Sequence, residues 1–384
     1  MDFKKSNYFS NSGGQIFLSH CSVSRLLPDA ARAICKFNMD QSEFGFRMFH
    51  AYGNVLDGLH KSASEIMKTK PDNVSFLTNT SEGLNIIANG YPFQNGDSII
   101  SFIHEYPSNH YPWALQSRRG VKLDLIQNHI PCDISTELKK DMPCRFSVDD
   151  IEKLITKKTR IIALSHVQFT SGFAADLKLI GEICRHNGID LIVDAAQSLG
   201  SMPLYPEAFG IAAIAASGWK WMMGPIGTGL LYTSPEFREK ISHTMAGADL
   251  MEQGQDYLNH SWSPLEDGRR FEYSTRPLSH AYGLNFALQN ILQHSQENIF
   301  QELIRLQDIF LAGIDRNKYT PVEFKNNRSG ILSIIPRIGT ENVTAKAAEK
   351  NLMVTERGGY LRIAPHFYNT DVEMQSAVEI LNSI

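Results

Sequence analysis

The stretch from residue 189 to 232 constrains this chain more than any other. An apolar run, Ile189 to Val193, stops at Asp194. A second, Ile211 to Ala216, stops at Ser217-Gly218-Trp219-Lys220. A turn holding Gly224, Pro225, Gly227 and Gly229 then leads to a third run, Leu230 to Tyr232. Short apolar runs bounded by turn residues read as strands buried on both faces. Asp194 and Lys220 are then expected where two such strands end. In an open α/β sheet that edge is where ligands bind.

A buried carboxylate and a buried lysine are each costly without a partner. Spacing alone leaves two readings level. One is a structural ion pair. The other is a ligand that needs both groups, as pyridoxal phosphate does: its aldehyde forms a Schiff base with a lysine amine, and its ring nitrogen stays protonated beside a carboxylate.

Composition narrows the class. At 384 residues the chain can bury a large core and form two domains. With 42% hydrophobic and 20% charged residues it reads as a soluble globular enzyme. The net charge of −4 and the lack of a basic run exclude nucleic acid as an expected partner. Five cysteines, Cys21, Cys35, Cys132, Cys144 and Cys184, form no CxxC pair, so neither a zinc site nor a disulfide framework is expected. The opening MDFKKSNYFS has no apolar core, which reads as cytoplasmic. Residues 211 to 232 carry Lys220 amid glycines and proline, so no membrane span is expected.

Strand and helix signals alternate along the rest. Phe37 to Lys68 reads as helical. Strands follow at Asn73–Leu77, Asp97–Ile103, Val121–Ile126 and Arg160–Leu164, with a loop over 128–146. Helices are expected at Tyr111–Arg119, after Ser147, and from Asp176 to Asn187 before Gly188. Such alternation with short loops predicts a parallel, doubly wound sheet. After Ser234-Pro235-Glu236 starts a helix, Met245–Leu265 reads as a loop. Leu278–Asp315 reads as one long helical stretch. Thr80 and Ser81, between a strand and a helix, are expected either to cap that helix or to bind an anion at its N-terminus.

Several of these segments together resemble the class V aminotransferase family of fold-type I pyridoxal-phosphate enzymes, the group holding cysteine desulfurases and isopenicillin-N-epimerase-like proteins. They are Asp194-Ala195-Ala196-Gln197, Ser217-Gly218-Trp219-Lys220, Gly224-Pro225-Ile226-Gly227-Thr228-Gly229, Thr80-Ser81-Glu82-Gly83-Leu84-Asn85, Arg270-Phe271-Glu272-Tyr273-Ser274-Thr275 and Arg362 ahead of Tyr368-Asn369-Thr370. The resemblance implies a large domain with a mostly parallel seven-stranded sheet between helices and a smaller α+β C-terminal domain. It divides the chain into an arm over 1–30 joining the small domain, a cofactor domain over 31–270, and a linking helix with the small domain over 271–384.

The resemblance also implies roles. Lys220 would hold pyridoxal 5′-phosphate as a Schiff base and serve as catalytic base. Asp194 would face the ring nitrogen, Gln197 the ring hydroxyl and Tyr106 the ring itself. Thr80, Ser81 and Ser217 would bind the phosphate, and Trp219 stands where desulfurases place a histidine near it. Thr275 would reach the partner's cofactor in a homodimer with shared sites. Arg362, with Arg357 as a second candidate, would grip the α-carboxylate of a small amino acid. His20 to Ser22 would face substrate. Gln168 is the nearest substitute for an asparagine that touches the cofactor in desulfurases. His166 reads as a packed core histidine.

Desulfurases place a persulfide-forming cysteine in the C-terminal part, and here the last cysteine is Cys184. That leaves transamination as the leading expectation, with a thiol-independent lyase or an epimerase as alternative. A protein that only binds the cofactor is disfavoured, because it would not need a carboxylate clamp beside Lys220.

Overall fold

Seven strands build one sheet whose register lines up the site. The computed structural model describes residues 8–9, 13–131, 138–139 and 141–384; the rest of the expected N-terminal arm's polar start, and Cys132, lie outside them. After a two-residue strand β1 (Ile16–Phe17), the sheet strands are β2 (Val74–Leu77), β3 (Ser98–Phe102), β4 (Lys122–Ile126), β5 (Thr159–Ser165), β6 (Asp190–Asp194), β7 (Ala213–Ser217) and β8 (Gly229–Thr233). Their spatial order is β2-β8-β7-β6-β5-β3-β4. All neighbours are parallel except β8, which runs antiparallel to both β2 and β7.

The apolar runs alternate between two cores. Ile100, Ile162, Leu191, Val193 and Ile214 face a core shared with the helices Pro28–Phe44, Val55–Met67 and Leu278–His294. Ile99, Ile161, Ile192, Ala213 and Ala215 face the opposite core, with Leu84, Ile87 and Trp113. Strands covered on both faces have no polar side to show, which is why they read as continuous apolar runs.

Pairing sets the edge. Ser165 lies opposite Asp194, Asp194 opposite Ala215, Ser217 opposite Gly229, and Gly229 opposite Leu77. The carboxyl ends of β5, β6 and β7 therefore sit beside the end of β2, where the helix Thr80–Gly90 begins. Gly83 lets that helix lie close on the sheet: a Cβ there would stand 3.1 Å from the Cβ of Ala215.

A second sheet, antiparallel, has β9 (Tyr319–Pro321), β10 (Leu332–Pro336), β12 (Thr355–Arg357) and β13 (Tyr360–Ile363) in the order β12-β13-β10-β9. Strand β11 (Leu352–Met353) pairs in parallel with β1. Ile16 and Leu18 share a third core with Leu306, Phe310, Ile334 and Ile363.

The expected single helix over Leu278–Asp315 is two helices, Leu278–His294 and Gln296–Gly313. Ser295 breaks them with φ +63°, and its hydroxyl accepts from Asn298 N at 3.3 Å. The break lets the first helix lie in the large core while the second passes to the third core. The expected helix Tyr111–Arg119 is α-helical only to Ala114 and tightens to a 3-10 turn before Gly120, φ +71°. Among the described residues, no helix is long and apolar enough to cross a membrane.

Gly229 couples sheet to site. A Cβ on it would lie 2.9 Å from the backbone N and Cα of Asn79 and 3.0 Å from Ala216 O. Overpacking against backbone of this kind costs roughly 1–3 kcal/mol. Gly229→Ala is expected to lose that much stability, read as a lower urea midpoint with an unchanged slope.

Candidate active site

A cavity of about 620 Å³ opens at the carboxyl edge of the large sheet. Thr80, Ser81, Tyr106, Asp194, Gln197, Ser217, Trp219, Lys220, Arg357 and Arg362 all line it. Thr275 does not; it is exposed elsewhere on this single chain. Among the described residues, no cluster of potential metal ligands occurs.

Lys220 lies on the turn after β7. That turn is locked by backbone bonds: Gly218 N to Thr228 O at 2.8 Å, Gly224 N to Gly218 O at 2.8 Å, and Met223 N to Lys220 O at 2.9 Å. A Cβ on Gly218 would collide with Thr228 Oγ1 at 2.1 Å, so only glycine fits there. Burial pushes the Lys220 amine below its ordinary pKa; Asp194 and Cys21 oppose this and Arg362 adds to it. Its Nζ stands 5.5 Å from the centre of the Tyr106 ring, which meets Phe169 edge-on at 5.2 Å.

Asp194 ends β6. Burial raises its carboxyl, against the Ala196 N–H at 2.9 Å and the charge of Lys220. Gln197 is held by both ends: its Nε2 donates to Cys21 O at 2.8 Å and its Oε1 accepts from Trp221 Nε1 at 3.1 Å.

At the helix Thr80–Gly90, Asn79 caps the end by accepting from Glu82 N at 2.8 Å. Capping therefore does not occupy Thr80 or Ser81. Thr80 Oγ1 lies 2.7 Å from Ser217 Oγ, and Ser81 Oγ donates to Ser108 Oγ at 2.7 Å. Three hydroxyls and an open helix N-terminus thus converge on one end of the cavity, an arrangement suited to a phosphate.

Arg362 comes from β13 of the second sheet and is only 2% exposed. Its Nη1 donates to Phe169 O at 2.8 Å and its Nη2 to Thr355 Oγ1 at 3.0 Å. Its Nε is buried with no partner. A buried guanidinium with an unused donor on a cavity wall is built for an anion that enters. Arg357 also lines the cavity, but it is exposed and its Nη1 turns back to Glu356 O.

The aminotransferase class-V family model matches residues 18–365. The chain belongs to that family. Its members use pyridoxal phosphate, and the residues here fit it: an amine, a facing carboxylate, an aromatic ring and a hydroxyl-rich helix end share one cavity. The chain is 28% identical, over 87% of its length and 86% of the relative's, to a probable cysteine desulfurase of Methanothermobacter thermautotrophicus. It is 22% identical to an uncharacterized aminotransferase of Bacillus subtilis, over 94% and 92% of the two chains. In fold it matches the cystine C-S lyase C-DES solved with cysteine persulfide, at TM-score 0.86, 21% identity and 98% and 99% coverage.

Of the segment His20 to Ser22, Cys21 and Ser22 line the cavity and His20 does not. His20 turns away, donating from Nδ1 to Ala364 O and accepting from Tyr368 OH, each at 2.7 Å. His166 and Gln168 are buried outside the cavity, and burial pushes His166 down to about 4, so it stays neutral.

Sequence reasoning missed Glu105. It is buried, next to Tyr106 in sequence, and accepts from Ser165 N at 2.8 Å, from Ser165 Oγ, and from Gln168 Nε2 at 3.1 Å. Burial outweighs these bonds and raises its carboxyl from 4.5 to about 7. The only sequence signal was a carboxylate beside Tyr106.

A raised carboxyl pKa means that the folded chain holds a proton the unfolded chain has lost. Stability from Glu105 is therefore present below 4.5 and fades as pH rises to about 7. Glu105→Gln lacks this dependence. Between about pH 5 and pH 8 its stability should gain on wild type by on the order of 3 kcal/mol, at about 1.4 kcal/mol per unit. Urea midpoints at the two pH values check this.

Proposed function

We propose that this chain is a pyridoxal-phosphate enzyme that opens the Cα–H bond of a small amino acid and cleaves a carbon–sulfur bond in a cysteine-type substrate. The observation that carries the reading is the shared cavity of Lys220, Asp194 and a buried Arg362 with an unpartnered Nε. The names of the desulfurase relatives support the choice of sulfur substrate.

The cofactor, when bound, supplies an electron sink for charge developing at Cα. The chain's own residues do the rest. Asp194 provides the negative charge that keeps a ring nitrogen protonated. Thr80, Ser81 and Ser217 would hold the phosphate, with Trp219 beside them; Gln197 would hydrogen-bond the ring hydroxyl through its remaining N–H, and Tyr106 would pack on the ring. Lys220 would hold the cofactor, and its amine would take the proton from the substrate Cα. Its lowered pKa leaves more of it as free amine near neutral pH, which a general base needs. Arg362 takes the α-carboxylate through Nε and so orients Cα toward Lys220, with Arg357 a second, outer cation.

Transamination is the second reading. It is favoured by the lack of any cysteine from Val354 to Leu361 and by the aminotransferase relative of Bacillus subtilis. We further propose a homodimer in which Thr275, exposed on the single chain, reaches the partner's phosphate. A monomer mass in light scattering of the holoenzyme would contradict it.

The deciding experiment incubates holoenzyme with L-cysteine and other amino acids, without a keto acid. The proposal expects sulfide or sulfane sulfur with alanine or pyruvate, and cofactor recovered as the aldehyde. Cofactor recovered as the pyridoxamine form, with a keto acid still bearing the side chain, would replace it with transamination.

Arg362→Gln should raise KM for the amino acid roughly ten- to a hundredfold, the loss of a charged hydrogen bond of about 1.5–3 kcal/mol. An unchanged KM would remove Arg362 from the substrate site.

A further inference from the structure

The four described cysteines differ sharply in setting. Cys35 is exposed on a helix, and Cys144 and Cys184 are buried in hydrophobic clusters away from the cavity. Cys21 alone among them lines the cavity that holds Lys220 and Arg362. Its backbone is pinned from below, since Gln197 Nε2 donates to its carbonyl at 2.8 Å. The segment around it is fixed at both ends: Leu18 N donates to Met353 O and Ser24 N to Trp219 O, each at 2.9 Å.

The thiol points at the substrate end. Cys21 Sγ stands 3.9 Å from Thr355 Oγ1, the same hydroxyl that receives Arg362 Nη2 at 3.0 Å. Arg362 Nε, buried and unpartnered on this wall, independently marks where a carboxylate would sit. A cysteine substrate gripped there has its Cα toward Lys220, and its Sγ is only one methylene further on. Arg362 and the Cys21 thiol thus meet the same Thr355 hydroxyl, on the wall that faces Lys220.

Resting on the carbon–sulfur reading above, we propose that Cys21 is the sulfur acceptor: a catalytic thiol supplied by the N-terminal segment instead of the C-terminal part. The Cys21 sulfur attacks the substrate Sγ. An S–S bond forms and the substrate Cβ–S bond breaks, its electron pair returning to Cβ, which takes up a proton. Substrate carbon is reduced to the methyl of alanine and the sulfur pair is oxidised to a persulfide, so no outside oxidant is required. One of the two thiol protons ends on Cβ and the other stays with the persulfide. Turnover then needs a thiol acceptor that attacks the outer sulfur and restores Cys21. The consuming reaction is therefore one that uses thiol-borne sulfane sulfur.

The test uses reductant-free holoenzyme given L-cysteine, quenched with an alkylating agent and digested for peptide mass analysis. The proposal expects the Cys21 peptide to gain the mass of one sulfur atom, with alanine formed in equal amount. Cys21→Ser and Cys21→Ala should retain cofactor absorbance yet make alanine at least tenfold more slowly. Cys35→Ser should match wild type. Sulfide and pyruvate released with no sulfur on Cys21, and unaltered in both Cys21 variants, would overturn the thiol role and leave the carbon–sulfur reading standing. No sulfur product from wild type at all would overturn both.

Discussion

An amine enclosed at the end of β7 is the constraint on which the rest of the structure depends. Enclosure disfavours the charged lysine, so Lys220 is kept by what surrounds it. Asp194 supplies opposite charge from the neighbouring strand. The turn that carries the lysine is closed by its own backbone bonds and admits no Cβ at Gly218. On the far side Trp221 is buried, donates to Gln197, and has its carbonyl bound by His366 Nε2 at 3.0 Å. Both flanks of Lys220 are therefore fixed, and the amine is the part left to act.

The cavity is a joint product of the two sheets. The large sheet contributes the carboxylate, the lysine and the phosphate-type end. The small sheet contributes Arg362. The N-terminal segment ties them: Ala364 N donates to Leu18 O at 2.9 Å, His20 bonds Ala364 and Tyr368, and Gln197 holds Cys21. Burial keeps His20 and His366 neutral, His366 at about 4, so these ties hold without charge across the physiological range. The parts of the cavity given by the two sheets are thus joined by a strap near the start of the chain.

What was legible in the sequence were features that act locally. Asp194 and Lys220 stand at strand ends because the apolar runs stop there, and their motif spacing announced the family. Asp176 and Gly188 bracket their helix as the cap residues indicate. Features made by distant residues were not legible. The helix break at Ser295 is a left-handed serine with no glycine or proline to signal it. Asn79, rather than Thr80 or Ser81, caps its helix, because all three are good caps and only the path of β2 chooses among them. Glu105 meets Ser165 across 60 residues, and Gln197 meets Cys21 across 176. Cys21 likewise reaches the cavity from the other end of the chain, far in sequence from Arg362 and Lys220.

The measurement that tests the central claim most directly is reductive trapping. Holoenzyme is treated with borohydride, digested, and mapped by mass spectrometry. The account predicts the cofactor's mass fixed to the peptide carrying Lys220, and none fixed in Lys220→Ala that still folds and still binds cofactor reversibly. Cofactor trapped on another lysine, or trapped equally well in the variant, would contradict it.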